Sequence, residues 1–308
     1  MFSLLVCFSS FGERRTIVGK AGDKAVKAYR KKIPQQAEGY YIKVTSTEIV
    51  VAGRDESGLF YGEQALKEIQ NSKFKIQREK YKEVLPIEGE GGAEIRDWPS
   101  VSCRGVIEGF YGNPWSHQDR LRQFDFYGKH RLNIYVYGPK DDPYHRAHWR
   151  DPYPEAEAAR LKELVEAAHK NRVQFVWAIH PGGDIQWNLQ DSLAVVNKLN
   201  LMYDLGIRTF AVFFDDIGGE GARGEKQAGL MNYLTDNFVR KHKDVEPLII
   251  CPTQYNKAWS GGDYLSTLGT KMYPEVRIMW TGNSVVDMIE RDDMVNNHKK
   301  WIWLILRM

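Results

Sequence analysis

The sequence predicts an α/β fold: a (β/α)₈ TIM-type barrel that lacks its eighth unit and follows a small α/β domain. Three observations predict this fold. Short β-rich runs alternate with amphipathic segments from Val101 onward, a polar and glycine-rich stretch precedes them, and the first of these runs is not followed by the glycine signature of a dinucleotide-binding fold. A chain of 308 residues has room for both parts.

The small amino-terminal α/β domain is assigned to residues 1–98. Its predicted strands and helices are Tyr40 to Val44, Glu48 to Ala52, a basic helix Asp23 to Lys32 that Pro34 ends, and Ser57 to Gln70. Residues 88–97 contain three glycines and are followed by Trp98-Pro99, a composition that predicts a linker. The barrel is therefore assigned to residues 99–308.

Seven strands are predicted in the barrel: Gly105 to Tyr111, Asn133 to Tyr137, Gln174 to Ile179, Thr209 to Phe214, Pro247 to Cys251, Val276 to Trp280, and a last run from Lys300. Helices are predicted between them, among them Glu155 to Lys170 and Glu225 to Lys241. This alternation favours parallel strands that are buried on both faces. So many units favour a closed barrel over an open doubly wound sheet.

Composition argues against several classes of protein. The formal net charge is +3, from 43 Lys and Arg against 40 Asp and Glu, so no nucleic-acid partner is inferred. Three scattered cysteines, Cys7, Cys103 and Cys251, predict free thiols rather than a disulfide framework or a zinc site. No apolar run reaches the ~20 residues that span a bilayer. The apolar start, Met1 to Phe11, fits either a damaged signal peptide or a strand.

Two adjacent carboxylates are the main candidates for catalysis. The active site of a barrel lies at the carboxyl ends of its strands, and Asp215 and Asp216 directly follow the apolar run 211–214. Neighbouring side chains of a strand point to opposite faces, so both can serve one pocket only if the chain bends there. Repulsion between two carboxylates raises the pKa of one, which suits glycoside cleavage. The spacing also allows a helix cap and an ion pair.

Other polar residues near strand ends have more than one possible role. Lys140 could donate to a substrate hydroxyl or pair with a neighbouring aspartate. His180 could act as a base or metal ligand, or form a hydrogen bond within its loop. A separate class of function, a metal-dependent hydrolase, would use four aspartates as oxygen ligands: Asp141, Asp142, Asp184 and Asp215.

Six motifs together resemble glycoside hydrolase family 84, which includes bacterial and human O-GlcNAcases and enzymes labelled hyaluronidases. In family order, the motifs are Arg104 to Trp115, Tyr137 to Tyr144, Trp177 to Gly182, Phe213 to Ile217, Cys251 to Asn256 and Met279 to Gly282. The resemblance covers roughly residues 17–303 and includes the small amino-terminal domain. It implies hydrolysis of terminal β-linked N-acetylglucosamine with retention, by substrate-assisted catalysis through an oxazoline, without a metal or other cofactor.

The resemblance also implies roles for individual residues. Asp215 would orient the acetamido group, and Asp216 would act as the general acid and then as the base. Seven further positions match the substrate site: Gly109 through its carbonyl, Lys140, Tyr255, Thr281, Cys251 and Val285 near the acetamido methyl, and Trp303. The implied partners are glycans or glycoproteins that carry N-acetylglucosamine. The bacterial members favour a secreted or periplasmic location, although the leader is ambiguous.

The chain departs from the family pattern at both ends. Family members carry additional residues before the position of Thr16. Beyond the position of Trp303 they continue with a further Asp, an eighth strand with an Asn, and a helical domain, whereas here five residues follow, Leu-Ile-Leu-Arg-Met. That Asp and Asn would bind the 4- and 6-hydroxyls of the sugar. Their absence from this sequence supports a second hypothesis, a catalytically impaired sugar-binding remnant.

Overall fold

The computed structural model describes residues 14–72, 76–87, 92–285 and 301–303. The chain divides after Ser102 into two compact units. The domain boundary predicted at residue 98 stays a prediction. The apolar leader, Met1 to Phe11, for which a signal peptide or a strand was considered, lies outside the described residues. Within the described ranges, every helix falls short of the length and apolarity that crossing a bilayer requires.

The first unit contains a five-stranded mixed sheet in the order β1-β3-β2-β5-β4. Its elements are β1 Arg15–Lys20, β2 Tyr40–Val44, β3 Glu48–Gly53, α1 Glu56–Asn71, β4 Glu83–Ile87 and β5 Gly92–Asp97. Strands β1 and β3 pair in parallel, and the other pairs are antiparallel. The Asp55 side chain caps α1 by accepting from the Gly58 amide, and α1 contributes Tyr61 to the core of this unit.

The helix predicted over Asp23 to Lys32 is wrong. The structure has only a single 3-10 turn there, Lys27–Tyr29, within a series of bends and turns. Val26 is the one residue of the predicted helix that is fully buried. A helix with so small an apolar face gains little from packing, and packing supplies most of the stability of a short helix.

The linker predicted over residues 88–97 is also wrong for the described part, because Gly92–Asp97 forms β5 between β2 and β4. Glycine has a structural role at the start of this strand, since a Cβ on Gly92 would lie 2.3 Å from the carbonyl oxygen of Val44. The residues that follow alternate, with Ala93 and Ile95 buried in the core. That period of two is the strand signal that the glycines obscured.

The second unit contains a seven-stranded parallel sheet in which the strands follow one another in chain order. The strands are β6 Gly105–Glu108, β7 Ile134–Tyr137, β8 Gln174–Ile179, β9 Thr209–Phe213, β10 Ile249–Cys251, β11 Arg277–Trp280 and β12 Trp301–Trp303. All seven predicted strands are present and differ from the prediction only at their ends. The sheet curls as a partial TIM barrel, which confirms the predicted fold class.

Five helices accompany this sheet: α2 His117–Lys129, α3 Glu155–Lys170, α4 Leu189–Asp204, α5 Gly224–Asn237 and α6 Tyr264–Lys271. The prediction for α3 is confirmed, whereas α5 ends at Asn237 and is followed by a short 3-10 turn. The strands have two apolar faces. Phe210 and Val212 of β9 belong to the core that includes the helices, and Ala211 and Phe213 belong to a smaller cluster on the opposite face. This inner face leads to the candidate site.

Candidate active site

Asp215 and Asp216 lie just beyond the end of β9, where the chain makes the predicted bend. Ala211 and Phe213 face the inner cluster, so strand alternation directs Asp215 to the same side. Asp216 would face the opposite side of a regular strand, but its φ is 57°, in the left-handed region. A residue other than glycine is held there at some energetic cost, which is a common feature of functional sites. Both aspartates act electrostatically on Cys251 and Tyr255, so both carboxylates lie near these two side chains.

The two oxygens of Asp215 have different surroundings. Lys140 Nζ lies 3.4 Å from Oδ2 and donates to it. His180 Nε2 lies 3.7 Å from Oδ1. Oδ1 is buried and has no hydrogen-bond partner among the described residues. Of the alternatives considered for Lys140, the structure shows an ion pair, but with Asp215 rather than with a neighbouring aspartate in the sequence.

Two buried histidines lie close to Asp215, in the loops after β7 and β8. The His180 ring donates from Nε2 to the main-chain oxygen of Asp215 at 2.9 Å, and burial lowers the pKa of His180 below its ordinary value. His145 is also buried, and burial lowers its pKa to about 3. The sequence analysis left His180 open and did not consider His145. The only signal for either residue was its place in a loop that follows a strand.

Asp216 is exposed and has a different neighbour. Tyr111 donates from its hydroxyl to Asp216 Oδ2 at 3.4 Å, and Lys140 Nζ lies 5.1 Å from the centre of the Tyr111 ring. Tyr111 is 73% exposed on the loop after β6. Sequence reasoning included this tyrosine in a motif but gave it no role. The structure therefore adds Tyr111 to the residues gathered around the aspartate pair.

Strand β10 and the loop after it supply Cys251 and Tyr255. Burial raises the pKa of the Cys251 thiol well above its usual range, and the charge of Asp215 raises it further. A neutral buried thiol is a poor nucleophile. Burial also raises the pKa of Tyr255, and the negative charge of Asp216 raises it further. The Tyr255 ring packs against Trp259 with 5.0 Å between ring centres.

The remaining predicted sugar contacts lie in the loops of neighbouring strands. Thr281 is buried; its amide donates to the Tyr255 carbonyl at 2.9 Å and its hydroxyl donates to the Ser284 carbonyl at 2.7 Å. Gly109 follows β6, and a Cβ there would come no closer than 3.4 Å to any atom outside the adjacent residues. Val285 is half-buried at the end of the loop that contains Thr281.

The backbone of Trp303, the last predicted site residue, pairs with Trp280 between β12 and β11. Its strand is thus part of the sheet whose strands lead into the site. The predicted positions from Gly109 to Trp303 therefore follow or end strands of this one parallel sheet, whose carboxyl ends point the same way.

The aspartates proposed for a metal site are used in other ways. Asp142 accepts hydrogen bonds from the hydroxyls of Tyr137 and Tyr153 at 2.8 and 2.7 Å. Asp184 pairs with Arg150. In the part of the chain that the structure describes, no three His, Cys, Asp or Glu side chains are grouped so that they could hold a metal ion. The described residues thus give the metal-dependent hypothesis no support.

A buried ion pair supports the loop that contains Gly109 and Tyr111. Glu108, at the end of β6, is 1% exposed and accepts two hydrogen bonds from Arg120 of α2, at 2.8 and 2.7 Å. It also accepts from the Trp115 amide at 3.3 Å. A bidentate pair of this kind is geometrically specific. Glu108 therefore connects both ends of this loop to α2.

Comparison with known families gives two matches. A family model described as beta-N-acetylglucosaminidase matches residues 104–303, and a model described as domain 2 of glycosyl hydrolase family 20 matches residues 10–98. The Protein O-GlcNAcases of Rattus norvegicus and Mus musculus are each 36% identical to this chain over 193 residues, which are 59% of this chain and 21% of theirs. The chain thus spans about a fifth of the length of these curated relatives.

Solved structures resemble the chain over a larger part of its length. CpGH84B has a TM-score of 0.76 and 32% identity, over 91% of this chain and 50% of its own. CpGH84D has a TM-score of 0.77 and 29% identity, over 95% and 50%. A mutant of the Thermobaculum terrenum O-GlcNAc hydrolase has a TM-score of 0.58 and 32% identity, over 61% and 43%. Because the first family model matches more than half of the chain, the chain belongs to the β-N-acetylglucosaminidase family, the glycoside hydrolase family 84 that its motifs resemble.

Proposed function

We propose that this chain contains the active site of a retaining β-N-acetylglucosaminidase, which releases terminal β-linked N-acetylglucosamine from glycans or glycoproteins. The observation that carries the proposal is the pair Asp215 and Asp216, two adjacent carboxylates that both lie near Cys251 and Tyr255 but have unlike surroundings. One is half-buried beside Lys140 and His180, and the other is exposed. Different surroundings allow two carboxylates to play different parts in one reaction.

Asp215 is suited to bind the acetamido group of the sugar. Its buried Oδ1 lacks a partner in the described structure, and an unpaired buried acceptor is costly unless a ligand satisfies it. The N–H of an acetamido group is a donor of the right kind. As the acetamido oxygen attacks C1, positive charge develops on the forming oxazoline, and the carboxylate would stabilise it.

Asp216 is suited to transfer a proton. In the first step it would donate a proton to the leaving oxygen, while the bond from C1 to that oxygen breaks and the bond from C1 to the acetamido oxygen forms. In the second step it would take a proton from water as the water oxygen attacks C1 and the oxazoline opens. Two inversions at C1 give net retention, and the enzyme forms no covalent bond. The exposure of Asp216 gives the leaving group and the water access to it.

The other predicted residues would enclose the sugar. We assign contacts with its hydroxyls to Lys140, Tyr255 and Thr281 and a carbonyl contact to Gly109. The buried, neutral Cys251 would form the wall beside the acetamido methyl, together with Val285. Trp303 is the remaining residue to which we assign a contact with the sugar.

The proposal is tested by release of 4-nitrophenol from 4-nitrophenyl β-N-acetylglucosaminide. Wild type should turn over, whereas Asp216→Asn and Asp215→Asn should each lose about 10²- to 10⁴-fold in kcat/KM. Asp184→Asn is a matched control, because Asp184 pairs with Arg150 and does not contact the aspartate pair. The loss in Asp216→Asn should grow as the leaving group becomes more basic, since a poor leaving group needs the proton more.

The alternative, an impaired sugar-binding remnant, predicts a different result in the same samples. A folded wild-type chain would then show no turnover but would still bind N-acetylglucosamine in a titration calorimeter. Turnover that a chelator abolishes would instead indicate the metal-dependent hypothesis. Turnover that persists with a chelator and falls in both aspartate variants supports the proposed function.

A further inference from the structure

We propose that His180 is a positioning residue that holds Asp215 in the orientation needed to engage the acetamido group, an inference that rests on the function proposed above. His180 follows β8, and Asp215 follows the neighbouring strand β9. The contact between them is made across strands by a side chain that is 6% exposed. It therefore belongs to the interior of the site rather than to its solvent-facing rim.

The hydrogen bond between the two residues fixes which nitrogen carries the proton. His180 Nε2 lies 2.9 Å from the main-chain oxygen of Asp215, and a carbonyl oxygen only accepts. Nε2 must therefore carry the hydrogen. The same nitrogen lies 3.7 Å from Oδ1 of the Asp215 side chain. One donor thus fixes the main chain of Asp215 and leaves the side-chain oxygen nearby, buried and free to accept from a ligand.

His180 is itself held in place by a second histidine. Its amide donates to the His145 carbonyl at 2.7 Å, and the ring of His145 donates from Nε2 to the Pro139 carbonyl at 2.8 Å. Pro139 directly precedes Lys140, whose Nζ lies 3.4 Å from Asp215 Oδ2. The two histidines therefore connect the carboxyl ends of β7, β8 and β9, and this connection reaches the main-chain oxygen of Asp215 through His180 and its Oδ2 through Lys140.

A neutral ring suits this task better than a cation. Burial lowers the pKa of His180, and the Asp215 charge only partly opposes that effect. A charged ring would form an ion pair with Asp215 and would compete with the positive charge that develops on the substrate. A neutral imidazole orients the carboxylate without neutralising it. His180 therefore contributes in the transition state rather than in ground-state binding.

Two substitutions separate the donor from the volume of the ring. His180→Phe keeps the ring and loses the donor, whereas His180→Gln keeps an amide N–H at about the reach of Nε2. We expect kcat of His180→Phe to fall about ten- to hundred-fold with little change in KM, as a small misplacement of a catalytic group does. His180→Gln should retain most of the activity. The control is His169→Phe, which replaces an exposed histidine in the last turn of α3.

A second readout separates positioning from a merely structural role. A trifluoroacetamido substrate reacts more slowly than the acetamido substrate because fluorine withdraws electrons and makes the attacking oxygen less nucleophilic. The ratio of the two rates is the penalty for fluorination. If His180 aligns Asp215 for that attack, this penalty should shrink in His180→Phe and persist in His180→Gln. A general loss of structure would slow both substrates in proportion. Wild-type kcat and an unchanged penalty in His180→Phe would overturn the proposal, as would equal losses in both variants.

Binding decides the question if the wild-type chain does not turn over, an outcome that refutes the proposed function. The probe is a thiazoline-fused N-acetylglucosamine, which mimics the oxazoline, titrated by calorimetry. Weaker binding by His180→Phe than by His180→Gln supports positioning, and equal affinities overturn it. Absence of binding by folded wild type overturns both proposals. If His180→Phe does not fold by circular dichroism, His180→Asn, whose amide is too short to reach Asp215, takes its place.

Discussion

Acid should destabilise the second unit because His145 takes up a proton when the chain unfolds. His145→Gln should therefore make the free energy of unfolding less dependent on pH. His145 is 1% exposed, and burial lowers its pKa from 6.5 to about 3. Nδ1 is buried without a hydrogen-bond partner among the described residues, so the ring has a place for only one proton-bearing nitrogen. Glutamine can still donate to the Pro139 carbonyl, but it cannot take up a proton.

The sign and size follow from these two pKa values. Above pH 6.5 the imidazole is neutral in both the folded and the unfolded chain. As the pH falls below 6.5, the unfolded chain binds a proton that the folded chain binds only near pH 3, so stability is lost through this window. From about pH 7.5 to about pH 4.5, the loss attributable to His145 is about 2.7 kcal/mol. A folded pKa one unit higher changes this figure by only about 0.1 kcal/mol.

The measurement is urea unfolding at several pH values, followed by tryptophan fluorescence. Only one of the nine tryptophans, Trp98, precedes the division after Ser102, so the signal reports mainly on the second unit. The free energy of unfolding of wild type should fall more steeply with acid than that of His145→Gln. His148→Gln is the matched control, because His148 lies in the same loop with an exposed side chain.

The reasoning fails if wild type and His145→Gln lose stability in parallel as the pH falls. It also fails if His148→Gln removes as much of the acid sensitivity as His145→Gln does. A lower stability of His145→Gln at all pH values, with an unchanged slope, would show that the glutamine packs poorly while the histidine does not titrate in the assumed window. The slope of the free energy against pH is therefore the deciding quantity.

Two further predictions concern stability alone, and unfolding by urea checks both. Gly105→Ala should destabilise the second unit by more than about 3 kcal/mol, because the new Cβ would lie 1.7 Å from the Ile134 carbonyl oxygen. Gly229→Ala should instead stabilise this unit by about 0.5–1 kcal/mol, because the new Cβ on α5 would meet open space. Similar effects of the two substitutions on the free energy of unfolding would contradict this prediction. Burial lowers the pKa of Lys198 from 10.5 to about 8, although its ammonium donates to the Asp151 carbonyl. Between pH 8 and 10.5 the unfolded chain binds more protons than the folded chain, so the free energy of unfolding of wild type should rise by about 3 kcal/mol over this range. Lys198→Met should lack this rise. Equal pH dependence in the two proteins would show that the ammonium is not desolvated.

The parallel sheet was predictable because its strands are apolar on both faces. The run Gln174–Ile179 is buried at every position except the first, so its composition alone distinguishes it from the surface helices around it. The strands of the first unit were harder to find. Arg15–Lys20 and Glu83–Ile87 were not predicted, because both lie at the edges of their sheet and have several exposed positions. An edge strand lacks the continuous apolar run that marks a central one.

The positions of the candidate site residues were predictable to the extent that strand ends were. Strand ends identify Asp215 and Asp216, but not what each touches. The hydrogen bond from His180 and the contact of Tyr111 join residues that are 35 and 105 positions apart in the chain. Such contacts depend on the register of neighbouring strands and on the rotamers of side chains, and neither follows from spacing.

The bend at Asp216 explains how identical neighbours come to differ. The sequence places Gly218 and Gly219 close by, yet the left-handed residue nearest the carboxylates is Asp216 itself. Aspartate tolerates this conformation better than β-branched residues do. Without the bend, alternation would direct Asp216 toward the helices, where Val212 and Phe214 are buried, and leave Asp215 alone on the inner face. One strained backbone position therefore produces a pair of carboxylates, one half-buried and one exposed, from two residues of the same type.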